Sequence, residues 1–268
     1  MSSDLEIRFG FSPCPNDTFM FHAVAKGLVS TPGLRFEPVL MDIEELNRKA
    51  LGEDSLEVSK LSLGAYARLR DRYRMLSVGA ALGRGCGPLV VCAQARDDLQ
   101  GLGDLGGQRV AIPGRMTTAN LLLRLYGPAG WRPVEMRFDR IGAAVSTGEV
   151  DAGLLIHEGR FTYRQSRLRA LADLGSVWES DRGLPLPLGI IAARSNLGEP
   201  TCRAVESALR ESLHHARQHP ESSQAYVREH AQELDAEVYA QHIALYVNDY
   251  SENLGVEGVR AIEEILRR

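Results

Sequence analysis

Short apolar runs alternate with helix-patterned segments from residue 5 to residue 93, break off at a polar, glycine-rich stretch, and then start again. That alternation restricts the chain to α/β architectures. Leu5 to Ser12 (LEIRFGFS) reads as a strand. The two prolines of SPCPNDTF stop it, and Asn16, Asp17 or Thr18 can cap a helix running to about Gly27. Leu34 to Met41 is the second strand and Ile43 to Leu51 a short helix capped by Asp42. Leu56 to Ser59 is a third strand, and Leu63 to Leu69 starts another helix. Tyr73 to Ala81 and Pro88 to Ala93 complete the series, which predicts a mostly parallel sheet.

Asp97 to Gly107 (DDLQGLGDLGG) marks a crossing between domains, placed just before it. The pattern then resumes with strand Arg109 to Ile112, helix Ala119 to Leu125, strand Val134 to Phe138, helix Ile141 to Thr147 and strand Val150 to Ile156. Arg160 to Ala172 reads as helical, Leu184 to Gly189 as a second crossing, and Ile190 to Ala193 as a strand. Four helices follow, over Cys202 to Gln218, Ser222 to His230, Ala236 to Val247 and Val256 to Arg267. Paired crossings between two α/β halves outline a bilobal fold. Residues 1–93 and 190–268 form one lobe and 94–189 the inserted second lobe, with a ligand cleft between them that closes by a hinge motion.

A net charge of −4 and the lack of a Lys/Arg stripe argue against nucleic acid or an anionic membrane as partner. No apolar run reaches membrane-spanning length, and MSSDLEIRFG has neither a basic leader nor an apolar signal core. A cytoplasmic location is expected. The four cysteines (Cys14, Cys86, Cys92, Cys202) lack metal-ligand spacing and are expected as free thiols, Cys14 as packing in the first loop. His215 and His219 have i, i+4 spacing, but with no Cys or carboxylate pattern nearby they read as a solvated helix face. No metal is expected.

Four segments at strand ends can face the cleft. The first holds Ser12, Asn16 and Asp17 at a helix start, where they can bond a ligand or simply cap the helix. The second is Ser59-Lys60-Leu61-Ser62. A lysine directly after a buried strand needs a partner, either a ligand carboxylate or solvent reached by snorkelling. The third, PGRMTT, ends in Thr117 and Thr118 at a helix N-terminus, which suits a carboxylate. The Walker and GxGxxG spacings are absent, so a nucleotide phosphate is disfavoured. The fourth is His157-Glu158, at the carboxyl end of a buried strand, where ligands of open α/β sheets sit. An imidazole there suits a base near neutral pH; the other reading is a strand cap bonded to backbone. No GxSxG or HExxH motif points to a serine hydrolase or a zincin.

GFSPCPNDTFMFHA, VSKLSLGAYA, AIPGRMTTA and GLLIHEGRFTY, in this order between about Ile7 and Ala193, resemble the 1,4-dihydroxy-6-naphthoate synthase family of the futalosine route to menaquinone. The C-terminal helices carry little of this signature. The resemblance implies a cytoplasmic carbon–carbon lyase with a type 2 periplasmic-binding-protein fold and no cofactor. Its substrate would be cyclic dehypoxanthine futalosine, a carboxylate, and its products 1,4-dihydroxy-6-naphthoate and dihydroxyacetone. The family's proton acceptor falls on His157, and its ligand contacts on Ser59, Lys60, Leu61 and Ser62 and on Thr117 and Thr118. Chorismate dehydratase shares the fold, and a plain solute-binding protein would share its outline.

Overall fold

The computed structural model describes residues 4–231 and 235–268, so the first residues of the MSSDLEIRFG stretch lie outside it. Along the chain come β1 (Leu5–Phe11), α1 (Pro15–Ala25), β2 (Leu34–Leu40), α2 (Ile43–Leu51), β3 (Val58–Ser62) and the single turn α3 (Leu63–Tyr66). The short strands β4 (Tyr73–Met75) and β5 (Ala81–Gly83) precede β6 (Leu89–Ala93) and β7 (Arg109–Ile112). Then follow α4 (Thr118–Tyr126), β8 (Arg132–Glu135), α5 (Phe138–Ser146), β9 (Ala152–Leu155) and the single turn α6 (Gly159–Thr162). β10 (Leu168–Asp173), α7 (Leu174–Arg182) and β11 (Leu186–Arg194) lead into α8 (Gly198–Gln218), α9 (Pro220–His230), α10 (Ala236–Tyr246), α11 (Asp249–Glu252) and α12 (Gly255–Leu266).

The strands form two mixed sheets. The first has the order β2-β1-β3-β11-β4, with β5 also on β11, and the second β10-β6-β9-β7-β8. β1, β2 and β3 are mutually parallel, as the alternation predicts. β11, however, returns antiparallel to β3, β4 and β5, and β6 is antiparallel to both β9 and β10. The mostly parallel sheet is therefore corrected, because long-range pairing, which local pattern does not encode, sets strand direction. β6 pairs in the second sheet, although the sequence places residues up to 93 in the first lobe. β11 begins at Leu186, inside the expected second crossing.

Local chemistry accounts for most elements. Asp42 caps α2 with a reciprocal capping box through Glu45. α8 buries Cys202, Val205, Ala208, Leu209, Leu213 and Ala216 at three- and four-residue spacing. Ser212, in that stripe, donates its hydroxyl to Met20 O at 2.7 Å and accepts from Val24 N, so the polar group is satisfied by α1. Phe9 and Phe11 of β1 pack with Phe21 of α1 in the same core cluster, Phe9 and Phe21 edge to face at 5.0 Å. α8, α9 and α10 all pack on α1, bringing the C-terminal helices to the start of the first helix.

Arg160 to Ala172 is not one helix. It holds α6, a 3₁₀ turn and then β10, with Arg167 left-handed at φ 54° where the chain turns into the strand. Edge pairing with β6 overrides the helical pattern. Tyr73 to Ala81 splits into β4 and the approach to β5. α7, unexpected, is capped by Asp173, whose side chain accepts from Gly175 N and Ser176 N.

Candidate active site

A cavity of about 80 Å³ lies between elements of the two sheets. Ser12, Asn16, Lys60, Ser62, His242 and Tyr246 line it from the first-sheet side and the C-terminal helices. Thr117, Thr118, Ala119, Ile156 and His157 line it from the second. Ile43, Leu188 and the Tyr246 ring make much of the wall apolar.

The strand geometry sorts the expected residues. β3 runs through Ser62, beyond the expected end at Ser59, so Lys60-Leu61-Ser62 is strand and not loop. Successive side chains of a strand face opposite ways. Lys60 and Ser62 reach the cavity, whereas Ser59 and Leu61 do not line it; Leu61 joins the core and the Ser59 hydroxyl packs near Gly10. Asp17 is also set back from the lining. It is fully buried, ion-pairs with Lys60, and accepts from Ser12 N at 3.1 Å and Ser12 Oγ at 2.7 Å. Lys60, 5% exposed, thus has a carboxylate from its own chain. The helix cap differs too: Cys14 stands at the N-cap of α1 with Pro15 next, and Asn16, Asp17 and Thr18 lie inside the first turn.

On the opposite wall Thr117 caps α4, accepting from Asn120 N. Thr118 Oγ1 accepts from Leu63 N at 2.9 Å and donates to Leu188 O. Of the first-turn amides of α4, those of Thr118 and Ala119 have no intrahelical acceptor and belong to residues that line the cavity. Further contacts draw the two walls together. The buried Glu44 carboxylate accepts from Met116 N at 3.2 Å. Gly64 packs so close to Met116 that a Cβ would stand 2.7 Å from its carbonyl oxygen.

His157 follows β9 with φ 53°, a left-handed conformation uncommon for a side-chain-bearing residue and concentrated at functional sites. That turn brings Nδ1 to 3.3 Å from Cys14 Sγ, across the gap between the two walls. The ring meets Phe138 edge to face at 4.8 Å. Nε2 is buried without a hydrogen-bond partner in the protein. Burial lowers the imidazole to about 4, offset in part by Asp17 and reinforced by Lys60, so it is neutral at pH 7. Burial pushes the Cys14 thiol well up, keeping it protonated.

These shifts set an acid sensitivity. The unfolded His157 takes up a proton near pH 6.5, the native one only near 4, so the unfolded state binds more protons between those values. Stability is full above about pH 6.5 and falls as pH drops toward 4, by up to about 3 kcal/mol from this residue. His22 and His242 are lowered by burial as well and act in the same direction. Urea midpoints should drop between pH 7 and pH 4.5, and less steeply in the His157→Asn variant; equal slopes would contradict the burial of this ring.

Sequence reasoning missed His242 and Tyr246. Both lie on the buried face of α10 with Tyr239, at three- and four-residue spacing. That Tyr-His-Tyr stripe was the available signal. His22 is packed against Phe19 O and Ser222, not in the cavity. His215 and His219 neighbour each other at 4.9 Å, and among the described residues no group of three His, Cys, Asp or Glu side chains could hold a metal ion. All four cysteines are free and buried. No described helix is long and apolar enough to cross a membrane.

The profile of a family described as menaquinone biosynthesis matches residues 7–268. A 1,4-dihydroxy-6-naphthoate synthase of Thermus thermophilus is 54% identical over 97% of this chain and 92% of its own length. The chain belongs to the 1,4-dihydroxy-6-naphthoate synthase family. A Streptomyces coelicolor synthase of the same name is 44% identical over 100% of this chain and 94% of its own. A crystal structure of an Archaeoglobus fulgidus protein superposes with a TM-score of 0.90 at 42% identity, covering 98% of this chain and 96% of that one. The alkanesulfonate-binding protein of Xanthomonas axonopodis superposes at 0.67 with 17% identity over 92% and 86% of the two chains. Likeness at that level shows the fold, which is periplasmic-binding-protein-like. In this synthase-family chain the four motifs named from sequence supply the Ser12, Lys60, Thr117/Thr118 and His157 corners of the cavity.

Proposed function

We propose that this protein is a carbon–carbon lyase that converts cyclic dehypoxanthine futalosine to 1,4-dihydroxy-6-naphthoate and dihydroxyacetone, with His157 as general base. The observation that carries this reading is the buried, unpartnered Nε2 of His157 beside a cavity that the N-terminus of α4 also borders. The synthase relatives at 54% and 44% identity support it through the product in their name, 1,4-dihydroxy-6-naphthoate.

The division of labour follows from the chemistry of each wall. The substrate carboxylate sits at the first turn of α4, by Thr117 and Thr118, where unpaired amides and the helix dipole favour an anion. The Lys60 ammonium adds positive potential from β3. Ile43, Ile156, Leu188 and Tyr246 take the aromatic ring. His157 donates Nδ1–H to the Cys14 sulfur and presents the Nε2 lone pair to the substrate. Removal of a proton there starts the cleavage that releases the three-carbon fragment, with aromatisation as the driving force. The two sheets act as two lobes of a cytoplasmic enzyme, and their approach excludes water from the intermediate.

Incubation of the protein with the cyclic substrate, followed by mass spectrometry, tests this. Equal amounts of 1,4-dihydroxy-6-naphthoate and dihydroxyacetone are expected. Substrate that is bound yet recovered intact would favour the second reading, a solute-binding protein, which the shared fold of the sulfonate-binding neighbours suggests. Loss of chorismate in its place would indicate a dehydratase.

A further inference from the structure

His242 comes from α10, outside the four motifs, yet its ring lies in the same cavity, 1% exposed and parallel to the His157 ring at 6.1 Å. A chain of hydrogen bonds fixes which of its nitrogens carries the proton. Asp17 accepts from Lys60 and from Ser12, so its oxygens are acceptors. The Asn16 group 2.8 Å from Asp17 Oδ1 is therefore the amide Nδ2, which orients Asn16 Oδ1 toward His242. That oxygen lies 3.0 Å from His242 Nε2 and can only accept, so Nε2 holds the hydrogen. Burial, with His157 and Lys60 nearby, lowers His242 well below the ordinary imidazole range and keeps it neutral. Its Nδ1 is then a bare lone pair, and it is buried with no partner in the protein. A buried acceptor left unmet costs free energy that a suitable ligand group would recover.

We infer that His242 Nδ1 is a specificity-determining subsite that accepts a hydrogen bond from a hydroxyl of the substrate, with Asn16 as the positioning residue that sets its tautomer. A carbonyl or carboxylate would meet the lone pair head on, so the site orients the ligand: carboxylate toward α4, hydroxyl-bearing end toward α10. This rests on the substrate proposed above.

The test pairs kinetics with a spectrum that needs no variant. His242→Gln keeps a donor for Asn16 Oδ1 and removes the ring acceptor. With unchanged melting temperature, kcat/KM for the cyclic substrate should fall about tenfold or more. Long-range imidazole ¹H–¹⁵N spectra of the wild-type protein at neutral pH should show His242 as the Nε2–H tautomer, and Asn16→Ala should mix the tautomers and lower kcat/KM. An Nδ1–H tautomer or an imidazolium in the wild type would overturn the inference whatever the kinetics. Active wild-type enzyme with His242→Gln within threefold of it would overturn the subsite alone. Inert wild-type protein would overturn the substrate assignment and the subsite with it.

Discussion

Replacing His157 with asparagine is expected to lower turnover by about 10²–10⁴-fold, the usual contribution of a positioned general base, while substrate affinity stays within about threefold. Asparagine is the informative substitution because residue 157 has φ 53°, a conformation that asparagine tolerates better than most side chains. Alanine would add backbone strain to the loss of the imidazole and blur the result. Single-turnover rates and a substrate dissociation constant, measured on protein with a wild-type melting temperature, separate the two effects. Turnover within threefold of wild type would remove His157 from its role. Parallel loss of affinity and rate would make it a binding residue.

Asp17→Ala should destabilise the fold by about 3–5 kcal/mol, the range for breaking a buried ion pair by deleting one partner. Asp17 has no exposed surface and the Lys60 side chain is 6% exposed, so the ammonium would be left with little water to compensate. The change also strands Ser12 N, Ser12 Oγ and Asn16 Nδ2, which all donate to Asp17. Urea unfolding measures it. Asp17→Ala combined with Lys60→Met should recover part of the loss, because the unpaired charge goes with the second substitution. A single-variant loss below about 1 kcal/mol would mean that the pair is not closed off from solvent.

The legible elements were those specified locally. β1, β2 and α2 follow from apolar runs and, for α2, from Asp42 with Glu45 three residues on. The motif segments were legible as strand ends and helix starts, which is how Lys60, Thr117, Thr118 and His157 were found. What failed depends on distant partners. β3 runs on to Ser62 because β11 pairs with it as far as Gly189, and that pairing decides that Lys60 and Ser62, not Ser59 and Leu61, reach the cavity. Arg160 to Ala172 has helical pattern but β6 beside it. His242 stands 226 residues from Asn16 in the chain, so only the packing of α10 on α1 joins them. Asp173 before α7 was a local cap signal that was there to be read.

Chemistry is expected where the His157 ring and the α4 first turn face one cavity. The most direct test is a crystal structure of the His157→Asn variant holding the intact cyclic substrate. It should place the substrate carboxylate on the amides at Thr118 and Ala119 and the bond to be broken beside residue 157. Substrate seated elsewhere, such as the groove bordered by Phe138, Gly142 and Tyr163, or turned with its carboxylate toward His242, would contradict it.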